Sequence, residues 1–226
     1  VGALTNWSTG ICAGGVTALI KTDGTLWAFG RNAIGQLGQN NLIYRSSPVQ
    51  IGALTNWSKI LRTTSPASFS AIKTDGTFWS WGSNTRGKLG DGTVIERSSP
   101  VQIGALTNWS QGNGGINSML VVKTDGTLWG WGDNENGQLG TNNIIYRSSP
   151  VQVGSLTTWS IASGVGEAAI ALKTDGTLWT WGAKAQGMQG QNDVIDRSSP
   201  VQVGSNTNWN KIGFSGGSFM TAGTTS

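Results

Sequence analysis

Apolar and polar positions alternate along this chain in short runs broken by Gly, Asn, Asp and Pro, and no stretch sustains a helical period. The clearest run is Lys21 to Gly30, KTDGTLWAFG, which recurs as KTDGTFWSWG from Lys73, KTDGTLWGWG from Lys123 and KTDGTLWTWG from Lys173. Asp-Gly between apolar and β-branched residues predicts a hairpin, with Gly taking the positive φ of a tight primed turn. In the outgoing strand Leu26 and Ala28 face one side and Trp27 and Phe29 the other, and later copies keep the alternation with Trp79/Trp81, Trp129/Trp131 and Trp179/Trp181. One buried aromatic side chain, at roughly 150–250 Å² and about 25 cal/mol/Å², contributes on the order of 4–6 kcal/mol before chain entropy. A lone hairpin is marginal in water, so these aromatic faces are expected to stack on one another.

The rest of the chain repeats around the hairpins. Trp7, Trp57, Trp109, Trp159 and Trp209 open successive units, spaced by 50, 52, 50 and 50 residues. The two extra residues fall in the stretch LRTTSPASFS, where Pro66 argues against a regular central strand. Each unit offers about four short strands: one after the opening Trp, two in the hairpin, and one at PVQIG, with Pro48, Pro100, Pro150 and Pro200 at its start. Four-stranded units repeated radially predict an all-β fold, a β-propeller with about 50 residues per blade. The expected organisation is a single array over residues 1–226, with units near 5–54, 55–106, 107–156 and 157–206 and a partial fifth at 207–226. Because VGALTNWS at the start matches the middle of a repeat, we expect the natural chain to extend further upstream.

Charge and composition narrow the function classes. The formal charge is +4, and it reduces to one Arg per repeat, Arg45, Arg97, Arg147 and Arg197, spread out rather than gathered into a groove. A nucleic-acid partner is therefore not expected. These arginines are expected to hydrogen-bond carbonyls or to pair between blades. No apolar run approaches a membrane span. Cys12 is the only cysteine and there is no His, which removes the commonest general base and metal ligand. No catalytic residue, cofactor or metal is assigned.

Two local motifs imitate chemistry. Gly82 to Leu89 nearly reads as a phosphate-cradling loop, but Leu89 stands where a hydroxyl is required, and sister copies carry Gln36, Gln138 and Met188 in place of Lys88. Asp133 to Gly137 resembles a calcium loop with its Gly one position early. Asp23, Asp75, Asp125 and Asp175 read as turn residues rather than general acids.

The KTDGTLWxWGxNxxGQLG core and the fifty-residue period resemble the repeats of the regulator of chromosome condensation family over nearly the whole chain. The resemblance implies a propeller, usually closed at seven blades with strands from both chain ends sharing one, and a non-catalytic binding or scaffold role. Near-identical repeats of this kind resemble bacterial and bacteriophage versions, which favours a virion or cell exterior. Two departures stand out. Where the family often carries His, this chain has Val16, Ser68, Ser118, Ala168 and, by extension, Ser218, and its four and a half units fall short of seven.

What varies between near-identical units is expected to face a partner, because binding surfaces are built from loops at one end of a rigid scaffold. The candidates follow the WG of each hairpin: Arg31 and Ile34, Thr85 and Arg86, Asp133 and Glu135, Lys184 and Gln186. The expected partner is a protein or a neighbouring subunit. A multivalent lectin with Trp-lined glycan pockets is the alternative, and a guanine-nucleotide exchange factor a third reading. One further irregularity concerns Leu37, Leu89 and Leu139, which are expected to plug an apolar site. The fourth unit has Gln189 there, so either Met188 takes over or this unit borders an edge closed by Val1 to Cys12 or by a neighbouring subunit.

Overall fold

The computed structural model describes residues 6–61, 63, 67–184, 189–214 and 220–224. The KTDG segments form the expected hairpins through a different turn. Gly24 takes a φ of 77° while Asp23 stays out of the left-handed region, which excludes a type I′ turn. Instead Gly24 N donates to the Lys21 carbonyl and Lys21 N to the Thr25 carbonyl, each at 3.0 Å, as in a type I turn closed by a left-handed glycine. The cause is the Asp23 side chain. Its Oδ1 accepts from Thr25 N at 2.9 Å and from Thr25 Oγ1 at 2.6 Å, which stabilises ordinary backbone at Asp23. Thr25 Oγ1 in turn accepts from Trp27 Nε1 at 2.8 Å, so the turn also orients the first aromatic of the strand. The relay recurs through Thr77 to Trp79, Thr127 to Trp129 and Thr177 to Trp179.

The first blade is an antiparallel sheet of β1 (Trp7–Ala13), β2 (Val16–Lys21), β3 (Leu26–Gly30) and β4 (Arg45–Gln50), paired in chain order. The second holds β5 (Trp57–Leu61), β6 (Ser68–Lys73), β7 (Phe78–Gly82) and β8 (Arg97–Gln102). The third holds β9 (Trp109–Gly114), β10 (Ser118–Lys123), β11 (Leu128–Gly132) and β12 (Arg147–Gln152). The fourth holds β13 (Trp159–Val165), β14 (Ala168–Lys173), β15 (Leu178–Gly182) and β16 (Arg197–Gln202), and β17 (Trp209–Phe214) pairs with β18 (Met220–Thr224) after it. The outermost strand begins and ends earlier than expected, running from Arg45 to Gln50 rather than from Pro48 to Gly52. Proline is tolerated there because register shifts between the pairs Ala28–Val49 and Gly30–Arg45.

The core lies between blades rather than within them. Ile20, Leu26, Leu37 and Ile51 of the first blade pack with Trp57, Phe69 and Trp81 of the second. The same layer forms around Trp109 and Trp131, and again around Trp159 and Trp181. Ile212 closes a smaller layer against the fourth blade. Main-chain bonds tie each turn to the next unit: Trp57 N donates to Gly24 O at 3.0 Å, and a Cβ on Gly24 would lie 2.0 Å from Thr55 O. Residues of β1, β5, β9 and β13 surround a space of about 440 Å³, so the first strand of each blade is the innermost. Because β1 is taken up by its own blade, it pairs with β2 and not with β17 or β18. Residues 1–5 and Met188, which entered the closure argument, lie outside the described residues. No helix among the described residues is long and apolar enough to cross a membrane.

Candidate interaction surface

The connection from β3 to β4 leaves the end of the blade opposite the KTDG turn and is stiff for its length. Asn32, fully buried, donates from Nδ2 to the carbonyls of Asn41 at 2.8 Å and Ile43 at 3.2 Å, and its Oδ1 accepts from Leu37 N at 2.9 Å. Asn84 and Asn134 repeat the clamp on Ile95 and Ile145 and on Leu89 and Leu139. The leucines fill the site beneath, as expected, with Leu37, Leu89 and Leu139 buried.

What these stiff loops carry outward is apolar. Leu42-Ile43-Tyr44, Val94-Ile95, Ile144-Ile145-Tyr146 and Val194-Ile195 keep 55–65% of their surface exposed. Equivalent positions on successive blades make this a repeated feature of one end of the array. Apolar side chains scattered singly need no explanation, whereas a repeated cluster is a candidate binding surface. Sequence reasoning missed it. The signal was there, an aliphatic pair in the same place in all four units, outside any strand-like alternation.

The residues nominated from the sequence lie on the same connections, and three of them meet. Arg86 pairs with Asp133 at 3.3 Å and with Glu135, linking the second blade to the third, and the two carboxylates raise the guanidinium pKa. Asn136 continues the link, donating to Glu167 of the fourth blade at 3.1 Å. The calcium-like acids are thus engaged by a cation of the preceding blade, and no group of three or more metal-ligating side chains occurs among the described residues. Arg31 is exposed on the first blade, and Ile34 is half-buried with its N–H donating to Gln36 Oε1 at 2.9 Å. Thr85 is exposed beside Ser83, Lys184 is exposed on the fourth blade, and Gln186 lies outside the described residues. Lys88 is buried and reaches Asn117 Oδ1 at 3.3 Å; burial lowers its pKa to about 8 against the opposing pull of Glu96.

The repeated arginines meet one expected alternative and correct the other: Arg197 donates to the Ile195 carbonyl at 3.1 Å, whereas their ion pairs do not run between blades. Arg97 pairs with Asp91 at 2.6 Å and Arg197 with Asp193 at 2.7 Å, inside their own connections rather than between blades. Gln189, the substitute for the plugging leucine, is buried with full partners: Nε2 donates to Gly182 O at 2.6 Å and Oε1 accepts from Arg197 Nη1 at 2.9 Å. Lys184 stands where the other blades have the clamping Asn, and its backbone N–H donates to Asp196 Oδ1 at 2.7 Å. The fourth connection is therefore held by a different polar network.

A separate cleft of about 520 Å³ lies between the first two blades, lined by Trp57, Trp79, Leu54 and Pro100 with the amides of Gln39 and Gln50. Lys73 Nζ sits 3.6 Å from the Trp79 ring centroid and 4.9 Å from that of Trp57, so one face of each ring is already covered.

The Regulator of chromosome condensation (RCC1) repeat profile matches three consecutive segments, residues 23–67, 75–119 and 125–166, each running from a hairpin turn through the apolar connection toward the next hairpin. The chain belongs to the RCC1 repeat family. Among relatives, mouse Protein RCC2 is 34% identical over 96 residues, covering 42% of this chain and 18% of the relative. The Ultraviolet-B receptor UVR8 of Arabidopsis thaliana is 30% identical over 91 residues, covering 40% and 21%. Among solved structures, yeast RCC1 (Prp20) bound to Kap60 superposes with a TM-score of 0.79 at 17% identity, covering 98% of this chain and 54% of that one. Human WBSCR16 gives 0.75 at 18% identity, covering 87% and 51%. At that identity the superpositions establish the RCC1-type propeller fold. The chain spans about half the length of these structures and about a fifth of the curated relatives it matches.

Proposed function

We propose that this RCC1-repeat chain is a non-catalytic propeller that binds other proteins through the β3–β4 end of its blades. The observation that carries this reading is the exposed aliphatic pair on all four connections, joined by Tyr on the first and third. An apolar patch on preorganised backbone binds with little ordering entropy, which suits a protein surface. The RCC1 relative of yeast whose structure contains Kap60 supports a protein partner by analogy. A virion or cell-exterior setting rests on the sequence resemblance alone. The test is affinity capture with wild-type chain and with Ile43, Ile95, Ile145 and Ile195 together changed to Ser. Loss of specifically captured proteins with an unchanged circular dichroism spectrum is expected, and undiminished capture would contradict the reading.

The cleft beside Trp57 and Trp79 favours a second reading, glycan binding, because an aromatic wall with amide side chains suits a sugar ring. It ranks below the first because the apolar clusters recur on all four blades, whereas this cleft is formed by the first two. A glycan array probed with wild-type protein and Trp79→Ala decides it: binding lost in the variant would promote this reading, and no binding would remove it.

A further inference from the structure

The near-identical connections differ in what their repeated arginine meets. In the second, the buried carboxylate of Asp91 accepts from Arg97 Nε at 2.7 Å and lies 2.6 Å from its Nη2, gripping one edge of the guanidinium. The first connection has Gln39 at that position, and its amide turns away, donating from Nε2 to Gln50 O at 2.8 Å. Asn41 stands where Thr93 receives Arg97 Nη2, and it is taken up locally: its Oδ1 accepts from Ile43 N at 2.9 Å and its Nδ2 donates to Gln39 O at 3.0 Å. Arg45 Nε is therefore buried without a protein acceptor, and Arg45 forms no ion pair among the described residues. Gly30 pairs with Arg45 in the sheet, so Arg31 follows directly on the residue opposite it. Residues 31–44 contain no acid at all. The second connection packs against the first through Ser98, and its own acids are Asp91, held by Arg97, and Glu96, whose charge acts on Lys88. The third connection repeats the orphaned Nε at Arg147 but carries Asp133 and Glu135, and the fourth neutralises Arg197 with Asp193. The first connection alone combines an unneutralised repeat arginine with no carboxylate of its own.

We propose that the first connection binds an oxyanion, a carboxylate or phosphate group, at the Nε–Nη2 edge of Arg45, with Arg31 adding its charge. The site goes beyond the protein-binding reading and does not depend on it. The template is internal, because Asp91 shows how an oxyanion sits against the same edge of the equivalent arginine one blade along. Two parallel N–H donors fit the two oxygens of a carboxylate or of a phosphate, and such charge-assisted bonds are about twice as strong as neutral ones. A buried donor without an acceptor leaves its desolvation uncompensated, so an oxyanion gains more here than at a fully solvated arginine. Arg45 as a whole is half-buried, which keeps its guanidinium within reach from solvent.

NMR of the arginine Nε–H signals tests the proposal, with wild type titrated by inorganic phosphate and by acetate and with chloride as the ionic-strength control. The Arg45 signal, assigned by its loss in Arg45→Lys, is expected to shift saturably with a dissociation constant on the order of millimolar, and chloride is expected not to reproduce the shift. Gln39→Asp supplies the carboxylate of the second connection from within the chain and is expected to weaken binding about tenfold or more. Arg97, already bonded to Asp91, serves as the internal reference and should not respond. Saturation by both anions supports a site for carboxylates and phosphates alike, and saturation by phosphate alone supports one for phosphoryl groups. An Arg45 signal that moves with neither anion, moves equally with chloride, or responds as strongly in a Gln39→Asp variant of unchanged circular dichroism would overturn the proposal.

Discussion

Trp81 Nε1 donates to the carbonyl oxygen of Gln36 at 3.0 Å, across the boundary between the first two blades. Trp131 reaches Lys88 O at 3.0 Å and Trp181 reaches Gln138 O at 2.9 Å in the same way. Each indole is fully buried, so it supplies apolar area to the interface and satisfies a carbonyl that water cannot reach. The second aromatic of each hairpin is thus the fastener between neighbours, while the first, half-buried, is held by the turn. Phe29 occupies the fastener position on the first blade, half-buried and without an N–H to donate.

Trp131→Phe should therefore destabilise by about 1–3 kcal/mol through the orphaned Lys88 carbonyl and the lost ring area. Trp129→Phe, which frees a partly exposed Thr127 hydroxyl, should have a smaller effect. Urea denaturation of the two variants compares them directly, and equal midpoints would remove the fastening role.

The repeat, the hairpins and the aromatic faces were legible in the sequence because a period of two and a period of fifty leave marks in residue identity. The turn type was not. Asp-Gly signals a hairpin, but the choice between a primed turn and a type I turn with a left-handed glycine depends on Asp23 bonding Thr25, a side-chain geometry with no separate sequence mark. The candidate surface was half legible. Variation drew attention to the β3–β4 connection and its equivalents, whereas the apolar side chains at their tips are shared by all units and so escaped a search for differences. Whether an aliphatic pair is core or surface depends on how the buried Asn32 turns the loop, which only three-dimensional placement reveals.

Lys88 makes stability depend on pH in the alkaline range. Its folded pKa of about 8 lies below the ordinary lysine value of 10.5. Between those values the unfolded chain holds more protons, so stability rises with pH through that window. Lys88→Gln, matching Gln36 and Gln138, should raise stability at pH 7 by on the order of 1–3 kcal/mol. The advantage should shrink between pH 8 and 10.5, as thermal melts across that range will show; a constant difference would contradict it.

In the fourth blade, Gln189→Leu alone should destabilise, although it restores the residue used elsewhere. It orphans the Gly182 carbonyl and removes an acceptor from Arg197. Adding Lys184→Asn supplies the clamp of the other blades and should recover part of the loss. A double-mutant cycle reads the coupling, expected at about 1 kcal/mol or more; simple additivity would show the two positions to be independent.

The most direct measurement is covalent footprinting of the chain, free and in complex with the protein it binds, whether a second copy or another protein. Labelling should fall at Leu42 to Tyr44, Val94-Ile95, Ile144 to Tyr146 and Val194-Ile195, with the KTDG turns at the opposite end unchanged. Equal labelling of those segments in both states, or protection confined to the KTDG turns, would contradict the account.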